Sequence, residues 1–267
     1  MPVGYSIYVE RASPVHNLID PRTKLTGLIA TFVLALEFNH PLVLAIITAA
    51  ILLIGLYAQL SFKQLFPFLA GASWFLLLGM FVWPAYIKQG LPLFTVFGLT
   101  ITLDGVLFGI AMGLRVALMV LAAGVWMMTT SPQKMTLGLL KMGLPYKAGL
   151  AMSTSIRFVP LINAERATIV EAQRARGLRL DKGNPLARAA KSVAVIGPMF
   201  LRAIDLAQAL AVAMDARGFG ARETRSSIIH IEMTRLDRLI IAGLIGVCVL
   251  GLVMRILGIG VLVRGYL

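Results

Sequence analysis

Five long apolar runs dominate this sequence, near residues 25–38, 41–60, 65–87, 106–128 and 239–262. A helix that crosses the hydrocarbon core of a bilayer needs about 20 predominantly apolar residues, and the runs reach or approach that length. Apolar residues make up 58% of the chain and charged residues only 14%, which is too much apolar surface for one water-soluble core. The sequence therefore predicts an all-α integral membrane protein with about five transmembrane helices.

The ends of the spans carry local signals. Charged residues occur in the segment 1–24 with no signal-peptide apolar stretch before them, so we expect the first run to stay in the mature protein. Asp20 is suited to cap the first helix, and Pro21 suits the first helical position. Because proline interrupts helices, Pro67 and Pro84 are expected to mark the limits of the third span.

Basic residues concentrate between the fourth and fifth runs, in residues 129–238. Cytoplasmic loops of membrane proteins collect Lys and Arg, so the N-terminus and this segment are predicted to be cytoplasmic in a multi-pass protein of the cell membrane. The same bias explains the net charge of +13 without a nucleic-acid partner. The prediction divides the chain into a four-helix N-terminal membrane domain (1–128), a cytoplasmic segment (129–238) and a C-terminal transmembrane helix (239–267).

The cytoplasmic segment is predicted to form amphipathic helices that lie along the membrane, because a structureless loop of this length is improbable. The predicted helices are one near 132–142, one from about 147 to Gly177 with a bend at Pro160, and one from about 186 to Gly218 with an interruption at Gly197-Pro198.

Two of these helices finish with the same triplet, Ala175-Arg176-Gly177 and Ala216-Arg217-Gly218. One interpretation is an ordinary helix end, because glycine commonly follows a helix and a cation in the last turn complements the helix dipole. The other is that each guanidinium docks into an acidic groove on a partner, which the repetition favours.

Small residues recur at helical spacing on the same two helices. Close helix crossing with each other or with a membrane partner explains them, and so does the high helix propensity of alanine. The positions are Ala164, Thr168 and Ala172 on the first helix and Ala203, Ala207 and Ala211 on the second.

Few residues suit catalysis or metal binding. Cys248 is the sole cysteine, the three histidines are scattered, and no phosphate-binding Gly-x-x-x-x-Gly-Lys-[Ser/Thr] loop occurs. We therefore expect no metal, no cofactor and no enzymatic activity. A stand-alone secondary transporter is the alternative, but it needs polar groups at the bilayer midplane, and only Arg115 and Glu37 are candidates.

The chain resembles the transmembrane T component of energy-coupling factor (ECF) transporters along nearly its whole length. The motifs that carry the resemblance are Asp20-Pro21-Arg22-Thr23-Lys24-Leu25, Gly143-Leu144-Pro145, Ile156-Arg157-Phe158-Val159-Pro160, Ala172-Gln173-Arg174-Ala175-Arg176-Gly177 and Met214-Asp215-Ala216-Arg217-Gly218. The paired Ala-Arg-Gly motifs are the most specific of these.

This resemblance implies a scaffold that joins two cytoplasmic ATP-binding cassette ATPases to one membrane-embedded substrate-binding subunit. Arg176 and Arg217 would anchor the ATPases, with Ala175, Gly177, Ala216 and Gly218 permitting close approach. The small-residue faces would hold the substrate-binding subunit, which selects a vitamin or a transition-metal ion in this family. ATP-driven movement of the ATPases would tilt the helices and reorient that subunit.

Overall fold

The computed structural model of the chain describes residues 19–87, 92–96, 99–178, 184–221 and 233–258. Within these ranges lie eight α-helices and one β-hairpin. The helices are α1 (Pro21–Glu37), α2 (Pro41–Tyr57), α3 (Phe62–Tyr86), α4 (Leu103–Thr129), α5 (Pro132–Lys141), α6 (Tyr146–Ala175), α7 (Pro185–Ala216) and α8 (Arg235–Ile256), and the strands are β1 (Pro92–Val96) and β2 (Leu99–Thr102).

Helices α1, α2, α3, α4 and α8 lie at the positions of the five predicted spans, and the all-α membrane architecture is confirmed. Among the described helices, α3, α4, α7 and α8 are long and apolar enough to cross a bilayer, and α2 is a shorter apolar helix. At 1.5 Å per residue, α1 and α2 are each about 25 Å long, near the lower limit for a span. Helix α7 is long and apolar enough to cross, although the sequence analysis predicted that it lies along the membrane.

Proline does not end these helices where the sequence predicted. Pro67 and Pro84 both lie inside α3, and α7 runs without interruption through Gly197-Pro198, so both predictions were wrong. Pro160 lies inside the continuous helix α6, and the bend expected there stays a prediction. A proline removes one backbone hydrogen bond, and the intact turns on either side keep a long helix together.

The described residues form two compact units. One contains α1 to α5, the hairpin and α8, and we call it the membrane unit; the other contains α6 and α7, and we call it the helical pair. In the membrane unit, α4 is the central helix and packs against α1, α2 and α3. Its side chains Phe108, Leu118 and Leu121 are fully buried there.

Glycines bring α3 and α4 into close contact. A Cβ built on Gly79 of α3 would lie 2.6 Å from the carbonyl oxygen of Gly109, and a Cβ on Gly109 would lie 2.6 Å from that of Gly79. One turn further along α4, a Cβ on Gly113 would lie 2.5 Å from the Cα of Leu76. The two backbones therefore touch without side chains between them, as small residues permit in membrane helices.

Asp237 joins the starts of α1 and α8. One carboxylate oxygen accepts the backbone N–H of Asp20 and the hydroxyl of Thr23, both at 3.0 Å. The other accepts the backbone N–H of Thr234 at 3.0 Å and its hydroxyl at 2.7 Å. The carboxylate is 1% exposed and is fully hydrogen-bonded, as a buried charge must be.

Further polar contacts fix the direction of the helices. Lys24 donates from Nζ to the carbonyl of Thr129 at 2.8 Å, so the start of α1 lies beside the end of α4. At the other end of α1, Arg255 of α8 donates to the carbonyl of Leu36 at 3.2 Å. Helices α1 and α8 are therefore parallel, and α1 and α4 are antiparallel. The start of α1, the end of α4 and the start of α8 lie on one face of the membrane unit.

The β-hairpin between α3 and α4 was not predicted. Strands β1 and β2 pair antiparallel, with Val96 opposite Leu99. Thr102 ends β2 and caps α4: its hydroxyl donates to the carbonyl of Ile87 at 2.9 Å and accepts the N–H of Gly105 at 3.2 Å. The β-branched residues on both sides of Gly98, Thr95-Val96 and Thr100-Ile101-Thr102, were a sequence signal for this hairpin.

Candidate docking site on the helical pair

Helices α6 and α7 pair antiparallel over about two turns. Arg202 of α7 contacts Glu165 of α6 at 3.2 Å, and Gln173 of α6 donates to the carbonyl of Ala194 at 3.2 Å. The two contacts are eight residues apart on each helix and run in opposite directions. Because the ion pair is partly exposed, it contributes at most about 1 kcal/mol and acts mainly to set the register.

The two Ala-Arg-Gly ends adopt the same backbone geometry. After α6, Gly177 has φ +88° and donates to the carbonyl of Arg174 at 2.9 Å, while Leu178 donates to that of Gln173 at 3.0 Å. These two bonds define a Schellman motif, which needs a left-handed residue just past the helix.

The end of α7 repeats this arrangement bond for bond. Gly218 has φ +71° and donates to the carbonyl of Asp215 at 2.9 Å, and Phe219 donates to that of Met214 at 3.0 Å. Both glycines are therefore required by the local backbone, whatever else they do. In each case the arginine is the residue directly before the left-handed glycine.

The predicted docking residues lie on the surface of the helical pair. Their side chains or backbones are exposed at all six positions, Ala175, Arg176, Gly177, Ala216, Arg217 and Gly218. Arg176 lies 11 residues beyond Glu165, and Arg217 lies 15 residues beyond Arg202 in the opposite direction. At 1.5 Å per residue, the two arginines are up to about 40 Å apart along the pair.

Five of the six small-residue positions are exposed and not buried between the two helices. Ala164, Thr168 and Ala172 are exposed on α6, and the Thr168 hydroxyl donates to the carbonyl of Ala164 at 3.4 Å. Ala207 and Ala211 are exposed on α7, and Ala203 is half-buried. The structure thus does not bring the two small-residue stripes together.

On α7 the small residues share one face with large apolar side chains. The face repeats at intervals of three and four residues, the spacing of one side of a helix. Its large members are 56–67% exposed at Val193, Ile196 and Phe200 and 38% exposed at Ile204. We call this the α7 apolar face: Val193, Ile196, Phe200, Ala203, Ile204, Ala207 and Ala211.

The residues that hold the helical pair together were not evident from the sequence. Glu165 and Arg202 have opposite charge, but their pairing depends on a register between two helices that spacing within either helix does not give. Gln173 and Ala194 carry no signal of their pairing. The basic residues near the pair appeared in the sequence only as part of a general excess of positive charge.

Arg115, one of the two candidates for a transport pathway, has a structural role. Its guanidinium donates to the carbonyl of Phe38 at 3.0 Å and to the side-chain oxygen of Asn39 at 2.5 Å. It therefore satisfies the carboxyl end of α1, where backbone carbonyls have no partner within the helix. Among the described residues no group of His, Cys, Asp and Glu could hold a metal ion.

The membrane unit and the exposed helical pair together define a class, a multi-pass membrane protein with a basic helical surface. The family model described as "Cobalt transport protein" (CbiQ) matches residues 12–228. The chain therefore belongs to this family, which comprises the transmembrane T components of energy-coupling factor transporters.

Curated relatives agree. The energy-coupling factor transporter transmembrane protein EcfT of Staphylococcus aureus is 30% identical over 260 residues, 94% of this chain and 97% of the relative. That of Brevibacillus brevis is 31% identical over 254 residues, 91% and 95% of the two chains. That of Listeria innocua is 30% identical over 227 residues, 82% and 85%. The chain is thus the transmembrane component of a transporter and works within a transporter complex.

Proposed function

We propose that this chain couples ATP hydrolysis by two cytoplasmic ATP-binding cassette ATPases to uptake through one membrane-embedded substrate-binding subunit. The observation that carries the proposal is the duplicated helix end. Two exposed Ala-Arg-Gly motifs share one backbone geometry and lie at opposite ends of one antiparallel pair. Two equivalent partners need two equivalent, separated sites.

The chemistry of each end suits an acidic groove. The Schellman motif fixes the backbone around Arg176 and Arg217, so each arginine side chain extends from a rigid position on the chain. Each guanidinium offers a planar fork of donors that can bind a carboxylate in a bidentate manner. Nothing lies within 4 Å of a Cβ built on Gly177, so a partner surface has room to approach the motif.

The α7 apolar face supports the contact with the substrate-binding subunit. Exposed side chains such as Phe200 and Ile204 are costly in water, and a membrane-embedded partner would cover them. Ala203, Ala207 and Ala211 on the same face would let a partner helix come close. The exposed stripe Ala164, Thr168 and Ala172 on α6 offers a second small-residue surface.

The topology of the membrane unit supports a cytoplasmic location for the helical pair. The chain leaves the unit after α5, whose Gly138 lies beside Pro21, and it re-enters the unit near Thr234. Both ends therefore lie beside the start of α1 on one face. A segment that leaves and returns on the same face crosses the bilayer an even number of times.

This parity applies to α7, the one candidate span between those two points. No other described helix in this segment is apolar enough to cross, and the stretches 179–183 and 222–232 are too short. One crossing by α7 alone is therefore inconsistent with the same-face geometry. The positive-inside bias makes this shared face the cytoplasmic one.

A labelling experiment tests this orientation. Asn184→Cys, at an exposed position, in a Cys248→Ser background is expected to react with an impermeant maleimide only after the cells are opened. The basic residues around it resist translocation across the membrane. Reaction at equal rates in intact and opened cells would place the helical pair outside and end the coupling proposal.

Co-purification tests the function itself. We expect the chain, isolated from its native membranes, to bring down two ATP-binding cassette ATPases and a small membrane-embedded subunit. The purified chain without those ATPases should not hydrolyse ATP, since it has no phosphate-binding loop. Uptake by liposomes that contain this chain alone, driven by an ion gradient, would instead support a secondary transporter.

A further inference from the structure

A basic groove runs along one side of the helical pair. It encloses about 480 Å³ and is lined by Arg166, Ala167, Val170, Glu171, Arg174, Arg188 and Ser192. Three arginines from two helices thus line the groove together with one carboxylate and one hydroxyl. The groove's volume is within the range of about 300–1,000 Å³ that is usual for small-molecule sites.

The charge of the groove selects an anion. With three guanidinium groups and one carboxylate, the lining has a formal excess of two positive charges. Arginine is the residue best suited to hold a phosphate, because its planar donors match two phosphate oxygens at once. The exposure of Arg166 and Arg188 keeps the groove open to a ligand from outside the pair.

Glu171 narrows the choice of ligand. A carboxylate in the lining repels a bare phosphate, but it accepts hydrogen bonds from a ligand that also carries hydroxyl groups. Ser192 can donate and accept in the same way. The lining therefore fits a phosphodiester linked to a polyol better than an isolated phosphate.

The surroundings of the groove point to a lipid. Ser192 is followed directly by Val193 and one turn later by Ile196, which are 64% and 56% exposed and form the start of the α7 apolar face. A ligand held by its head in the groove would find an exposed apolar surface next to it for its chains. Basic pockets between transmembrane helices on the cytoplasmic side bind anionic lipid headgroups, and this groove offers donors of the same kind.

We propose that this groove binds the headgroup of an anionic phospholipid of the phosphatidylglycerol type. Arg166 and Arg188 hold the phosphodiester, Glu171 and Ser192 bind the glycerol hydroxyls, and the acyl chains lie along Val193 and Ile196 at the start of the α7 apolar face. Arg174 lines the groove two residues before Arg176, so the groove borders one Ala-Arg-Gly end. The inference rests on the proposed location of the helical pair along the cytoplasmic face of the membrane.

Lipid retention measured by native mass spectrometry tests the site. The full-length chain is purified with equal amounts of phosphatidylglycerol, phosphatidic acid and phosphatidylcholine, and bound lipids are counted. Wild type is expected to retain one phosphatidylglycerol, and Arg166→Gln with Arg188→Gln should reduce its affinity at least tenfold. Lys147→Gln with Arg157→Gln, both exposed on α6, removes the same charge outside the groove and should leave retention unchanged.

Glu171→Gln provides a second, independent readout. It should narrow the preference for phosphatidylglycerol over phosphatidic acid while binding of both persists. Equal losses of phosphatidylglycerol affinity in the groove variant and the control variant would show only diffuse charge attraction and overturn the proposal. Displacement of the lipid by millimolar inorganic phosphate would also overturn the proposal. A groove variant that keeps its bound lipid but loses ATPase binding would overturn it as well.

Discussion

If the chain couples two ATPases as proposed, replacing Arg176 and Arg217 together by alanine is expected to remove both ATPases from the purified complex. If each guanidinium is buried against a carboxylate of its ATPase, truncation leaves that acid unpaired and costs about 2–5 kcal/mol per site. This corresponds to roughly thirtyfold or more in affinity at each site. The measurement is ATPase retention in pull-downs of wild type, each single variant and the double variant at equal membrane expression.

In this structure the double substitution removes the two arginine side chains and leaves the helix ends intact. Both Schellman motifs depend on Gly177 and Gly218, which stay in place, so helix ends should lose only about 0.3–1 kcal/mol of dipole stabilisation. Lysine at both positions should restore retention only in part, because it keeps the charge without the planar fork. Lys147→Ala with Arg157→Ala is the matched control on α6. Full ATPase retention by the double arginine variant would reduce the two motifs to ordinary helix ends.

Alanine at Gly79 is expected to destabilise the membrane unit, although alanine is normally the better helix former. The new Cβ would lie 2.6 Å from the carbonyl oxygen of Gly109, where the obstacle is backbone and cannot rotate away. Overpacking of this kind costs about 1–3 kcal/mol. For a chain of this size that lowers the apparent unfolding temperature by roughly 3–10 °C, measurable in detergent by the fluorescence of the tryptophans.

Gly71 of α3 provides the matched control for the same substitution. Nothing lies within 4 Å of a Cβ built there, so Gly71→Ala should be neutral or stabilise by up to about 1 kcal/mol. The two alanine variants on one helix are thus expected to shift stability in opposite directions. If Gly79→Ala is as stable as Gly71→Ala, the close contact between α3 and α4 is not present in the folded protein.

Local signals in the sequence located most of the helices and the two repeated ends. Asp20 caps α1 as predicted, accepting the N–H of Arg22 at 2.9 Å, and Pro21 is the first helical residue. Gly177 and Gly218 end their helices as predicted. These features depend on a few neighbouring residues, so reading the chain in order is enough to find them. The family, too, followed from motifs of this local kind.

Other signals in the sequence were misleading or incomplete. Pro67, Pro84 and Pro198 suggested helix limits, yet the helices continue because adjacent turns and packing outweigh one missing hydrogen bond. Gly105, Gly109 and Gly113 recur every four residues in α4, a spacing typical of close helix crossings. That pattern predicts a tight contact, but it does not identify α3 as the partner.

The tertiary structure alone decided which distant groups meet. Asp237 accepts hydrogen bonds from Asp20 and Thr23, more than 200 residues away, and this pairing makes α1 and α8 parallel. The contact between Lys24 and Thr129 then places both ends of the basic segment on one face. The sequence by itself determined the helices, their caps and the excess of positive charge, because these arise within a few turns of chain. Helix direction, register and the shared face depend on contacts between separate helices, and no pattern within a single helix contains them.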